Sequence, residues 1–246
     1  PMLERHPWKA VENNIFGTKN LVEVADQFNC EKFVFVSTDK AVNPFNIMGA
    51  SKRVSEMIVQ NQNIIEKSNT SFITVRFGNV IGSVGSVIPL FKKQIQEGGP
   101  VTVTHPDIIR YFMLIPEACQ LILQAITMGK GGEIFILEMG DPIKIDHMAH
   151  DLIKFSGFEP DVDIKVEYTG LRPGEKLYEE LMTELEDVVQ TDHKKILVLN
   201  STKVDLGVLN DKLGKLRIES QNRNVEKIKS LFKEIVPEYN PYPEQE

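Results

Sequence analysis

Between Pro7 and Phe28 the apolar residues Val11, Ile15, Leu21, Val22, Ala25 and Phe28 recur at helical intervals, and Pro7 suits a first helical turn. The period then changes. Phe33-Val34-Phe35-Val36 is a continuous run of β-branched and aromatic residues, which predicts a strand buried on both faces of a parallel sheet. A helix is predicted from beyond Pro44 to about Lys67, then a second buried strand from Phe72 to Phe77 and a Gly/Ser-rich loop from Gly78 to Ser86. The alternation continues with a helix from Val87 to Gln96, a strand from Val101 to Val103, a helix opened by Pro116 and a strand from Ile134 to Leu137. An amphipathic helix from Asp146 to Ser156 stops at Gly157. Ile164 to Tyr168 reads as a strand and Gly174 to Met182 as the start of a helix. An irregular, charged stretch follows until helical spacing returns from Asn224 to Val236, and the last six residues read as a frayed tail.

This rhythm predicts an α/β fold: a Rossmann-like doubly wound parallel sheet with a smaller substrate-binding lobe. The expected organisation places the sheet and a polar catalytic cluster in residues 1–140, interleaved with lobe segments. Residues 141–200 fall mainly in the lobe, and 201–246 form a helical extension.

Hydrophobic residues make up 41% of the 246 positions and charged residues 26%, the balance of an ordinary globular protein. The net charge of −7 removes nonspecific attraction to nucleic acid or anionic membranes, so an anionic ligand would need locally placed cations. Cys30 and Cys119 are isolated, which suggests neither a disulfide framework nor a zinc cluster and fits a reducing, cytoplasmic setting. No apolar run reaches the roughly 20 residues of a membrane span. The histidines His6, His105, His147, His150 and His193 show no ligand spacing, so no metal is assigned.

In open α/β sheets, ligands bind at the carboxyl ends of the strands. Ser37-Thr38-Asp39-Lys40 lies there, offering hydroxyls, a carboxylate and an amine for hydrogen bonding and acid/base work. Four polar residues after a strand also fit a plain hydrophilic turn. On the next helix, Met48 and Lys52 stand one turn apart on the same side. Farther along, Arg110 and Arg172 suit a diphosphate through paired guanidinium hydrogen bonds, although each alone also fits a surface ion pair.

The run from Val36 to Pro44, followed by Met48-Gly49-Ala50-Ser51-Lys52-Arg53, resembles the active-site signature of UDP-N-acetylglucosamine 4,6-dehydratases, the CapD-like polysaccharide-biosynthesis proteins. The resemblance continues through Arg76–Val80, Gly85–Phe91, Thr104-His105-Pro106, Arg110–Met113, Gly132–Phe135 and Thr169–Leu181, about three quarters of the chain. Most short-chain dehydrogenases carry a tyrosine base at the position of Met48. A thioether has no titratable proton, and in the subgroup resembled here methionine is usual while Thr38, Asp39 and Lys40 do the acid/base work. The resemblance implies a UDP-sugar substrate and NAD or NADP as cofactor. It places Ser37, Thr38, Lys52 and Val80 at the cofactor, with Lys52 on the nicotinamide ribose. Asn79 would lie near the substrate diphosphate, Arg110 on its phosphates, and Arg172 and Glu175 on its nucleotide.

The glycine-rich turn that receives a dinucleotide pyrophosphate does not occur in these 246 residues. Gly82-Ser83-Val84-Gly85 follows a late strand and matches the family's substrate loop instead. The expectation is therefore a chain lacking an amino-terminal cofactor half, to be completed by that half or by a full-length homo-oligomeric partner. The rival readings are a nucleotide-sugar 4-epimerase, which Met48 opposes, and a sugar-nucleotide-binding fragment without catalysis.

Overall fold

A computed structural model describes residues 2–65, 68–83, 85–183, 188–199 and 205–241. Lys67 and most of the final six residues lie outside these. In chain order the elements begin with α1 (Met2–Arg5) and α2 (Pro7–Ala10), which runs through a π-helical turn (Val11–Phe16) into α3 (Gly17–Gln27). Strand β1 (Lys32–Val36), a 3-10 turn (Asp39–Ala41), α4 (Ile47–Ile65), β2 (Ser71–Arg76), β3 (Asn79–Ile81) and α5 (Val87–Gln96) follow. Next come β4 (Val101–Val103), β5 (Ile109–Arg110), β6 (Phe112–Leu114), α6 (Ile115–Met128), β7 (Ile134–Leu137) and β8 (Ile143–Lys144). The chain closes with α7 (Ile145–Phe155), β9 (Val166–Tyr168), β10 (Val188–Gln190), β11 (Ile196–Leu199), α8 (Leu206–Gln221) and α9 (Val225–Ile235).

Two compact units form. The first contains residues 1–77, 121–138 and 180–246; the second contains 78–120 and 139–179. The first holds a five-stranded sheet in the order β1-β2-β7-β11-β10, in which β1, β2 and β7 run parallel and β11 and β10 add antiparallel. This is the Rossmann-like α/β arrangement that the apolar runs predict. Strand β11 belongs to the sheet, not to the lobe in which residues 141–200 mainly fall on the sequence reading. Its partner is β7, with Leu197 opposite Ile136.

The first helix departs from its predicted apolar face. Val11, Ile15, Val22 and Ala25 are buried, but Leu21 and Phe28 are 61% and 73% exposed. The wider π turn shifts the phase, so that Thr18, Val22 and Ala25 line the inward face of α3. Strand β1 also departs from expectation. It forms an edge of the sheet, no strand among the described residues pairs with its outer side, and only Phe35 of its apolar residues is buried.

The largest core of the first unit joins α2, the π turn and α4 to the carboxyl-terminal helices. Ala10, Val11, Ile15, Val54 and Met57 pack with Leu209, Leu213 and Leu216 of α8 and Ile228, Phe232 and Tyr239 from α9 and beyond. Burial of each large apolar side chain contributes roughly 1.5–3 kcal/mol, which explains why two helices rich in charge adhere there. In the second unit Phe91, Ile95, Val101, Val103, Ile145, Ala149 and Ile153 form a separate core. No helix among the described residues is long and apolar enough to cross a membrane.

The helix predicted from Gly174 does not form. Residues 172–175 make a turn, with Gly174 at φ 75° and Glu175 N–H donating to the Arg172 carbonyl at 2.9 Å. The carbonyls of Lys176 and Leu177, which a helix would need for its ladder, instead accept hydrogen bonds from Arg110 and the Ile109 N–H.

Candidate active site

In the first unit the parallel register carries past the end of β1. Ser37 N–H donates to the Val75 carbonyl at 2.8 Å and Asp39 N–H to the Phe77 carbonyl at 3.1 Å, fixing the polar segment to β2. Thr38 then caps the 3-10 turn, its Oγ1 accepting from Lys40 N–H. Asp39 is 1% exposed. Its Oδ1 accepts from Thr38 Oγ1 at 2.8 Å and from Lys40 Nζ at 2.9 Å, while its buried Oδ2 has no hydrogen-bond partner. A buried carboxylate oxygen without a partner is costly.

Gly49 brings α4 against this turn. A Cβ there would lie 2.0 Å from the Lys40 carbonyl oxygen, so any side chain would force the helix away. Met48 and Lys52 are half-buried on this helix. Lys52 Nζ donates to the Val36 carbonyl at 2.7 Å and lies 3.9 Å from the Phe35 ring centroid. Burial lowers its pKa to about 8 against the opposing influence of Glu56.

Ser37, expected at the cofactor, is tied to the interior. Its hydroxyl is buried and donates inward to Glu56 Oε1 at 2.6 Å. Glu56, fully buried, also receives Arg76 through Nε and Nη2, both at 2.8 Å, and Arg53 Nη1 at 3.1 Å. Burial alone would raise the Glu56 carboxyl, but Arg76, Arg53 and Ser37 together hold it down at about 2. The sequence reading did not find this network. Its signal was present: Arg76 sits inside a run predicted to be buried on both faces, where a charge must have a partner.

In the second unit Asn79 and Val80 lie half-buried on β3, paired with Phe112 and Met113 of β6. Arg172 is exposed in the turn that precedes Glu175, and its N–H donates to Glu175 Oε2 at 3.0 Å. Thr104 Oγ1 lies 3.3 Å from Glu175 Oε1. Arg110, expected on phosphates, is 8% exposed and turned toward the chain itself. Its Nη1 donates to the carbonyls of Ile109 and Leu177, its Nη2 donates to that of Lys176, and Glu175 and Glu179 stand 3.7 and 3.8 Å away. The guanidinium thus pins the loop that carries Arg172 and Glu175.

The sequence model of a family described as polysaccharide biosynthesis protein matches residues 1–201. The chain belongs to that family. Among its relatives, capsular polysaccharide biosynthesis protein CapD of Staphylococcus aureus is 56% identical over 80% of this chain and 32% of its own length. The probable polysaccharide biosynthesis protein EpsC of Bacillus subtilis is 52% identical over 85% of this chain and 34% of its own length. The chain thus spans about a third of each of these curated family members. An uncharacterized membrane protein of Methanocaldococcus jannaschii is 46% identical over 96% of this chain and 71% of its own length. Among solved structures, Pen from Bacillus thuringiensis is similar with a TM-score of 0.76 and 38% identity, covering 81% of this chain and 62% of that one.

Proposed function

We propose that this polysaccharide biosynthesis family member carries the acid/base residues and sugar-nucleotide lobe of a 4,6-dehydratase acting on UDP-N-acetylglucosamine or a close relative. The observation that carries the reading is the Thr38–Asp39–Lys40 cluster, with Asp39 buried and its two neighbours half-buried, at the end of a parallel strand and beside a helix that carries Met48 rather than a proton-carrying side chain. A relative named UDP-N-acetylglucosamine 4,6-dehydratase (inverting), from Campylobacter jejuni, is 35% identical over 73% of this chain and supports the same class.

When bound, NAD or NADP would supply the oxidation at C4 and the hydride that C6 gains once its hydroxyl has left, so that C4 ends as a ketone. The residues here fit the nicotinamide end of such a group. Lys52 offers a half-buried amine for the ribose and Thr38 lies at the strand end, while Val80, in the second unit, is assigned to the cofactor by the resemblance alone. The glycine-rich turn for the pyrophosphate is not among the 246 residues.

Thr38 holds the C4 oxygen. With C4 oxidised, the C5 proton is acidic; Lys40 as free amine removes it and, as C6 is reduced, returns a solvent-exchanged proton to C5. Asp39 as carboxylic acid protonates the departing C6 hydroxyl, so one water leaves. Lys40 Nζ and Asp39 Oδ1 lie 2.9 Å apart, so the groups that serve the two steps are within hydrogen-bond reach of one another. Arg172 and Glu175 receive the nucleotide and Asn79 lies near the diphosphate, while Arg110 holds the loop of Arg172 and Glu175 and Ser37 ties its strand end to Glu56.

Relatives named UDP-glucose 4-epimerase, such as that of Rickettsia akari at 34% identity, make epimerisation the rival. Incubation with UDP-N-acetylglucosamine and NAD, with a dinucleotide-binding half supplied in cis or in trans, separates them by mass. A dehydratase product is lighter by one water, whereas an epimer has unchanged mass. The reading also predicts that Met48→Ala slows turnover less than about tenfold, because removing packing is milder than removing a general acid or base. A larger loss with unchanged circular dichroism would give Met48 a chemical role that this mechanism lacks.

A further inference from the structure

Residues beyond the family match lie against the loop between the two catalytic segments. After α9 the chain turns at Val236, whose carbonyl accepts from Tyr239 N–H at 2.9 Å, and Asn240 N–H donates to the Pro44 carbonyl at 2.9 Å. Glu238 Oε1 accepts from Arg53 Nε at 3.1 Å, and Arg53 in turn bonds Glu56. Tyr239 is fully buried, edge-on to Phe232 at 6.3 Å and in the same core as Ile47, the first residue of α4. Lys233 Nζ donates to the Tyr239 carbonyl at 2.6 Å, closing the segment onto its own helix.

The loop so held, residues 42–46, joins the Asp39-Lys40 turn to the helix of Met48 and Lys52. Its conformation is restrictive: Asn43 has φ 39°, and Gly49 leaves no room against the Lys40 carbonyl. We propose that Val236–Asn240 is a positioning strap, which fixes this loop through Asn240 and the start of α4 through Glu238 and Tyr239, and so sets Asp39 and Lys40 relative to Met48 and Lys52. Its catalytic consequence rests on the dehydratase reading. Its structural consequence does not.

Hydrogen exchange of the 246-residue chain tests the strap directly. A chain ending at Val236 exchanges the amides of residues 41–50 about tenfold faster than the parent, while those of Phe72–Val75 in β2 stay protected. Unchanged exchange at 41–50 overturns the proposal. If the shortened chain loses protection in β2 as well, Glu238→Gln decides: faster exchange at 41–50 supports the strap and unchanged exchange overturns it. Tyr239→Phe is the control and leaves exchange unchanged, because the buried hydroxyl has no partner.

In the catalytically complete protein Glu238→Gln lowers kcat several-fold and leaves KM for the sugar nucleotide unchanged. An exchange response without a kcat response overturns the positioning role. A parent without dehydratase activity overturns the enzymatic reading and leaves the exchange result standing.

Discussion

Lys40→Ala is expected to slow solvent exchange at C5 of the bound sugar by about a hundredfold or more, the usual loss when a general base is removed. In the proposed mechanism Lys40 acts from the 3-10 turn that Thr38 caps, where its Nζ lies 2.9 Å from Asp39 Oδ1. Lys52, the other amine near this strand end, is turned to the Val36 carbonyl and the Phe35 ring, and its replacement of Lys40 would require breaking both contacts. Nuclear magnetic resonance of the sugar C5 position in heavy water reads the exchange rate. Native exchange in the variant would remove Lys40 from the mechanism.

The second large effect concerns stability. Glu56→Ala leaves Arg76, which is 0% exposed, without its two carboxylate bonds at 2.8 Å and costs about 3–5 kcal/mol, the range for breaking a buried ion pair from one side. Replacing both partners with apolar residues of similar volume should cost less, since the Arg76 charge is then removed as well, leaving only the bonds of Arg53 and Ser37 to Glu56 unmade. Urea unfolding followed by fluorescence of Trp8, the sole tryptophan and part of the same unit, measures both. Equal losses for the single and double variants would show that the pair contributes more than mutual neutralisation. The pair also sets an acid limit. Because the folded carboxyl sits at about 2, below its ordinary value of 4.5, its stabilisation is fully present above about pH 4.5 and is lost as pH falls toward 2.

The sheet was legible because β2 and β7 are buried on both faces and read as unbroken apolar runs, and the cluster at 37–40 was legible because polar residues follow such a run at once. Strands β10 and β11 were not, since they are short antiparallel additions in a charged stretch, and β10 is partly exposed. Residues 201–246 read as a helical extension, but the limits of α8 were not legible because Leu209, Leu213 and Leu216, its buried leucines among the described side chains, stand among many polar residues. The roles of Arg110 and Ser37 were hidden for a different reason. Arg110 bonds carbonyls at residues 176 and 177, and Ser37 bonds a glutamate 19 positions away, so their partners are set by tertiary contact and leave no local pattern.

The central claim is that the Thr38–Asp39–Lys40 cluster removes the C5 proton and expels the C6 hydroxyl of a UDP-linked N-acetylhexosamine. Turnover of UDP-N-acetylglucosamine in heavy water, with the dinucleotide-binding half present, tests this most directly by magnetic resonance of the product. The account predicts a 4-keto-6-deoxy sugar nucleotide with deuterium at C5. A C4 epimer with protium at C5 and its C6 hydroxyl intact would contradict it.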